Sequence, residues 1–138
     1  MKNLTKIFIF SVFLAPFVIL TSACQSSKPD IKEPIPVRVA VTGAVMRPGQ
    51  KIFWINNENP KPPTVVYAIG IAGGPAAGAY MEEVVLHKGG LSGSSQRVVI
   101  NIKDIMTAEN PREKDYPLED GDVIEVYTMA QFRNIVGQ

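Results

Sequence analysis

Val37-Arg-Val-Ala-Val-Thr-Gly-Ala-Val-Met-Arg-Pro-Gly-Gln-Lys-Ile-Phe-Trp-Ile55 is the stretch on which the fold turns. Val37, Val39 and Val41 recur at every second position through Val37–Thr42, the pattern of a strand with one face buried. Gly43 and then Arg47-Pro48-Gly49 turn the chain into a second run, Lys51–Ile55, so the stretch is predicted to be a hairpin. Outward from it, Asn56 to Pro63 is a polar loop stiffened by Pro62 and Pro63. Thr64 then stands as N-cap of a helix over Val65–Ala72, with Val65, Ile69 and Ala72 on one face. Gly73-Gly74-Pro75 stops that helix as a left-handed cap followed by a breaker.

Beyond the small residues Ala76 to Ala79, Glu82–His87 and Arg97–Ile102 read as strands joined by the Gly/Ser-rich turn Gly89 to Ser95, a second hairpin. Asp104-Ile105-Met106 forms one helical turn, Glu109 to Asp115 a charged, solvated loop, and Asp122–Tyr127 the last strand. Residues 128 to 138 leave open a short helix or a tail. The order strand, strand, helix, strand, strand, strand predicts an α+β fold. Its compact solution is a mixed sheet of about five strands with one packed helix, most commonly a β-grasp (ubiquitin-like) arrangement.

Length and composition narrow the functions. The chain has 138 residues, enough for one folded unit and hardly a second. Its 14 Lys+Arg stand against 13 Asp+Glu, a balance that attracts no nucleic acid. One Cys and one His supply neither a structural zinc site nor a disulfide framework, and no cofactor is implied. Glu82 and Glu83, adjacent on a predicted strand, face opposite ways and cannot flank one glycosidic bond. Glu83 and His87, on one face, would stand roughly 13 Å apart, too far for a dyad. A non-enzymatic role is expected.

The amino terminus reads as an address. Lys2 and Lys6 precede Ile7–Leu20, an uncharged run of about 14 residues where a membrane span needs about 20. Thr21, Ser22 and Ala23 lead into Cys24, after which the chain turns polar. Leu20-Thr21-Ser22-Ala23-Cys24 resembles the lipobox of a bacterial lipoprotein signal, with Thr21 where that family prefers Leu. The resemblance implies cleavage after Ala23, lipidation of Cys24 and membrane attachment through acyl chains, a single one of which anchors only marginally. Gln25, in place of the Asp that favours inner-membrane retention, implies the periplasmic face of the outer membrane. Residues 24–36, with Pro29, Pro34 and Pro36, read as a tether carrying a domain over 37–128, with 129–138 as its tail.

Five blocks carry a second resemblance: Val39–Gly49, Ala68–Gly74, Val84–Leu86, Val98–Ile102 and Leu118–Val126. In order and spacing they resemble the soluble-ligand-binding β-grasp (SLBB) domain, over about residues 37 to 127. That family's pattern is a Val-x-Gly-x-Val-x-x-Pro-Gly turn, a helix ending Ala-Gly-Gly, and a final Leu-x-x-Gly-Asp-x-Ile-x-Val strand. The resemblance implies an accessory binding or assembly module in polysaccharide synthesis or export, which docks onto proteins of the export machinery or touches the polysaccharide cargo. Two features expected of an export channel, a preceding polysaccharide-export domain and a long amphipathic carboxy-terminal helix, are not read here. Related β-grasp domains bind cobalamin, so a small-molecule carrier is the alternative.

Among single residues, Trp54 has the strongest chemistry for a ligand or partner: an indole face for saccharide C–H groups, followed by Asn56, Asn57 and Asn59 as amide partners. Alternation turns only one of Phe53 and Trp54 inward, so packing against the core or over the sheet edge is the competing role. Tyr80 and Tyr127 follow by the same logic, and His87 is expected at an edge or on the surface. Gly70, Gly73, Gly74 and Gly78 follow a helix instead of preceding one, which suits capping and not phosphate binding. Glu119-Asp120-Gly121-Asp122 lacks the further ligands of a calcium loop and reads as a solvated turn, with Asp122 free to bond nearby N–H groups.

Overall fold

The computed structural model describes residues 33–93 and 96–136. The expected signal segment 1–23, Cys24 and the tether as far as residue 32 lie outside the described residues. The first strand, β1 (Ile35–Gly43), starts two residues earlier than its valine pattern and pairs antiparallel with β2 (Gly49–Ile55), register Val37 to Phe53. Alternation holds: Val37, Val39 and Val41 are buried while Arg38 is exposed. Complete burial of one such side chain contributes about 1.5–3 kcal/mol.

Helix α1 (Val65–Ile71) buries Val65, Ala68 and Ile69, with Ala72 beyond its end. Thr64 occupies the N-cap position in extended conformation, but its side chain makes no capping bond. The first donors of the helix go elsewhere: Val65 N–H donates to the Tyr116 carbonyl at 3.0 Å and Val66 N–H to Asp115 Oδ1 at 3.2 Å. The stretch expected to be only solvated loop thus caps a helix 49 residues away in the chain. At the other end Gly73 and Gly74 have φ of 84° and 82°, and their N–H groups donate to Gly70 and Ile69 carbonyls, a Schellman closure.

The second hairpin is β3 (Val84–Lys88) against β4 (Gln96–Ile100), joined through a 3-10 turn at Gly90–Ser92. Two expectations change here. Glu82 and Glu83 precede β3 instead of lying on it, because the strand starts only where the buried run Val84–Leu86 begins. Ile102 leaves the strand and opens α2 (Ile102–Thr107), because Asn101 accepts from Asp104 N–H at 3.1 Å and acts as N-cap. A four-residue helix α3 (Pro111–Lys114) lies within the charged loop. After β5 (Val123–Val126) comes α4 (Met129–Val136), opened by a capping box: Gln131 N–H donates to Thr128 Oγ1 and Thr128 N–H to Gln131 Oε1.

The sheet order is β2-β1-β5-β3-β4, with β1 and β5 parallel and every other pair antiparallel. This is the mixed five-stranded sheet of an α+β fold. The core gathers Val37, Val39, Val41, Val84, Leu86, Ile100, Ile124 and Val126 from the sheet, with Val65, Ala68, Ile69, Ile102 and Ile105 from α1 and α2. Among the described residues Asp122 is the buried charged one, 1% exposed. In the turn expected to be solvated, Glu119 and Asp120 are exposed while Gly121 and Asp122 are buried: Asp122 Oδ1 accepts from Gly89 N–H at 2.9 Å, while Oδ2 accepts from Glu119 N–H at 2.9 Å and Lys88 Nζ at 3.1 Å. A buried carboxylate satisfied in this way ties the start of β5 to the end of β3.

Candidate functional site

Among the described residues β2 pairs with β1 alone, so its far side is one open edge of the sheet, and β4 forms the other. Along β2 a groove of about 490 Å³ is lined by Ile52, Phe53, Trp54 and Ile55. Successive side chains of a strand face opposite ways, so a groove touched by four in a row runs along the strand's edge. Its opposite wall is the loop through Asn59, Lys61, Pro62, Pro63 and Thr64, and Tyr67 of α1 contributes from the helical layer.

Each wall is held from the sequence upward. Phe53 turns toward the helix, its ring 5.6 Å from that of Tyr67, which leaves Trp54 outward and 55% exposed. Asn56 folds the loop: its Oδ1 accepts from Glu58 N–H at 3.0 Å and Asn59 N–H at 2.8 Å, and its own N–H donates to the Asn59 carbonyl. That oxygen therefore serves the turn. Asn57 sits exposed in the same loop, outside the lining of the groove. Pro62 and Pro63 limit the backbone of the wall, and Pro63 is buried with its carbonyl accepting from Leu118 N–H at 2.8 Å. The groove is thus shaped before anything enters it.

Among the described residues that line the groove Lys61 is the charged one, and none is a carboxylate. On the neighbouring strand Arg38 is engaged by Asp120, which accepts from Arg38 Nε at 2.9 Å, Nη2 at 2.6 Å and the Arg38 backbone N–H at 2.8 Å. Those bonds hold the Asp120 carboxyl down at about 2.

Tyr80 is not brought to this groove. Its ring lies 5.0 Å from Phe132 of α4, and it lines a separate groove of about 470 Å³ with Met81, Met106 and Met129. Desolvation, followed by the bond to Glu82, pushes the Tyr80 hydroxyl above its ordinary range. On the sheet face, Glu125 Oε2 accepts from Tyr127 Oη at 2.5 Å and lies 3.3 Å from His87 Nε2. Burial and then that bond push the Tyr127 hydroxyl up to about 12, so it stays protonated and donates.

Of the residues singled out from sequence, Trp54 and Asn59 line the groove and Asn56 shapes its loop. Ile52, Lys61 and Tyr67 were not read from the chain. The signal available for Ile52 was the unbroken apolar run Ile52–Ile55, which leaves apolar groups on both faces of a strand. Among the described residues there is no group of three or more His, Cys, Asp or Glu side chains placed to hold a metal ion. No protein-family model matches the chain, and no curated protein matches it.

Proposed function

We propose that the chain is a lipid-anchored periplasmic module of the SLBB β-grasp type, attached through Cys24 to the outer membrane. It works without catalysis as an accessory binding and assembly component in the synthesis and export of an extracellular polysaccharide. The observation that carries this reading is that blocks distant in sequence pack on one another. Gly43, in the first block, has φ of 82° and lies so close to the Val126 carbonyl of the last block that a Cβ would overlap that oxygen. Met46 and Arg47 donate backbone bonds to Gly74 and Ala72, in the block that closes α1, at 3.0 and 2.8 Å. A Cβ on Gly73 would meet Met46 Cβ at 3.0 Å. The glycines of the resemblance therefore have steric reasons that depend on one another. The order β2-β1-β5-β3-β4 with α1 over one face also suits a β-grasp.

The groove beside β2 supplies a binding surface, with an exposed indole and a lysine. The test is extracellular polysaccharide in a strain deleted for the gene and complemented with the wild type or with Cys24→Ala. The expected result is a fall in polymer that only the lipidated form restores. Polymer unchanged in amount and chain length refutes the export role.

A further inference from the structure

The groove beside β2 has the form of a strand-docking site more than that of a sugar cleft. It follows the backbone edge through Ile52–Ile55, and among the described residues the backbone of 50–55 makes no hydrogen bond outside its ladder with β1. Every second residue of such a strand aims its N–H and C=O away from the sheet. Proteins blunt such edges with short strands, prolines, bulges or several charges. β2 is seven residues long, has no proline, carries only Lys51 as a charge, and exposes Ile52 and Trp54 to 54% and 55%. The loop wall opposite it is pinned by Asn56 and stiffened by Pro62 and Pro63, so a segment entering there meets a preformed slot.

Charge selects the occupant. Lys61 lines the slot and Lys51 lies on the strand, with no acid among the lining residues. A second copy of β2 would set two such basic rims together. The other open edge, β4, carries Arg97 and no acid either, so a copy's β4 complements β2 no better. We infer that the open edge of β2 takes an extended segment of a different protein as a sixth strand. That segment runs its alternate apolar side chains beside Ile52 and Trp54 on the outer face, and presents a carboxylate to Lys61. Main-chain bonds supply affinity and the Lys61 contact supplies selectivity.

This goes beyond the export role and does not depend on it: normal polymer in the deletion strain would remove that role and leave strand docking standing. The experiment titrates the isotope-labelled full chain, in detergent, with synthetic peptides and follows backbone amide shifts. One peptide alternates valine and threonine between terminal aspartates, a second has lysines in their place, and a third is the aspartate peptide N-methylated along one edge. The aspartate peptide is expected to shift the amides of 50–55 and to bind at least tenfold tighter than the lysine peptide. N-methylation is expected to abolish the shifts, because it removes the donors of the new ladder. Lys61→Glu, an exposed loop change, is expected to reverse the preference between the first two peptides. Equal binding of the N-methylated peptide, no shift along β2 at millimolar peptide, or an unchanged preference in Lys61→Glu overturns the inference. So does an acidic oligosaccharide that moves these amides when the peptides do not, or self-association of the chain that protects the same edge.

Discussion

Asp122→Ala tests the tie between β3 and β5 most directly. The wild-type carboxylate is 1% exposed and receives Gly89 N–H, Glu119 N–H and Lys88 Nζ, all at 3.1 Å or less. Removing one partner of a buried hydrogen-bonded ion pair costs about 3–5 kcal/mol. Each backbone N–H left without an acceptor adds to this on the scale of about 1–3 kcal/mol. The Lys88 side chain, 26% exposed, keeps Glu119 at 3.3 Å, which offsets most of the ion-pair loss and leaves chiefly the two N–H groups. A net loss of about 3–4 kcal/mol is expected, a large fraction of the roughly 5–15 kcal/mol that holds a small domain together. At about 4–8 °C per kcal/mol, Tm falls by about 12 °C or more. Urea unfolding followed by the fluorescence of Trp54, the sole tryptophan, measures it, with circular dichroism as the second probe. Asp122→Asn keeps the volume but sets an NH2 against a donor, so it should lose about 2 kcal/mol or more. A loss below about 1 kcal/mol in Asp122→Ala would refute the reasoning, because the bonds would then be replaceable by water.

Gly43→Ala should destabilise by at least about 2 kcal/mol, from left-handed strain together with the collision at the Val126 carbonyl, and calorimetry or urea unfolding reads it. The Asp120 carboxyl has its folded pKa lowered from 3.8 to about 2, so its pairing with Arg38 is complete above about pH 4 and fades as pH falls through 2. Carbon-detected titration should show that midpoint, and Arg38→Gln should return it toward the ordinary carboxylate range. For Tyr127 the sign is opposite: its hydroxyl is raised from 10.0 to about 12, so the unfolded chain ionises first and stability falls as pH climbs between those values. Absorbance titration of the tyrosinates should show its last component disappear in Tyr127→Phe, while the raised Tyr80 remains.

Much of the fold is legible in the chain because local rules and burial agree there. The alternation of Val37, Val39 and Val41, the helical face of Val65, Ile69 and Ala72, and the glycines after it are short-range signals, and the core uses them as written. The start of α2 and the whole of α4 were harder. Ile102 continues an apolar run as readily as it opens a helix, and the capping box Thr128-Met-Ala-Gln131 is too short a pattern to outweigh the polar residues around it.

What the sequence determined by itself is the set of strands, the principal helix, the turns that join them, and that only one of Phe53 and Trp54 faces the core. These depend on period, φ preference and cap chemistry, all properties of neighbours in the chain. Only the tertiary structure decided that Asp115 caps α1, that Asp122 is buried against Lys88 and two N–H groups, and that β2 lies at the sheet's edge with Lys61 and Tyr67 beside it. The physical reason is common to all three. A hydrogen bond, an ion pair or an open edge is a relation between segments tens of residues apart, and it has no local signal until strand pairing sets which segments are neighbours.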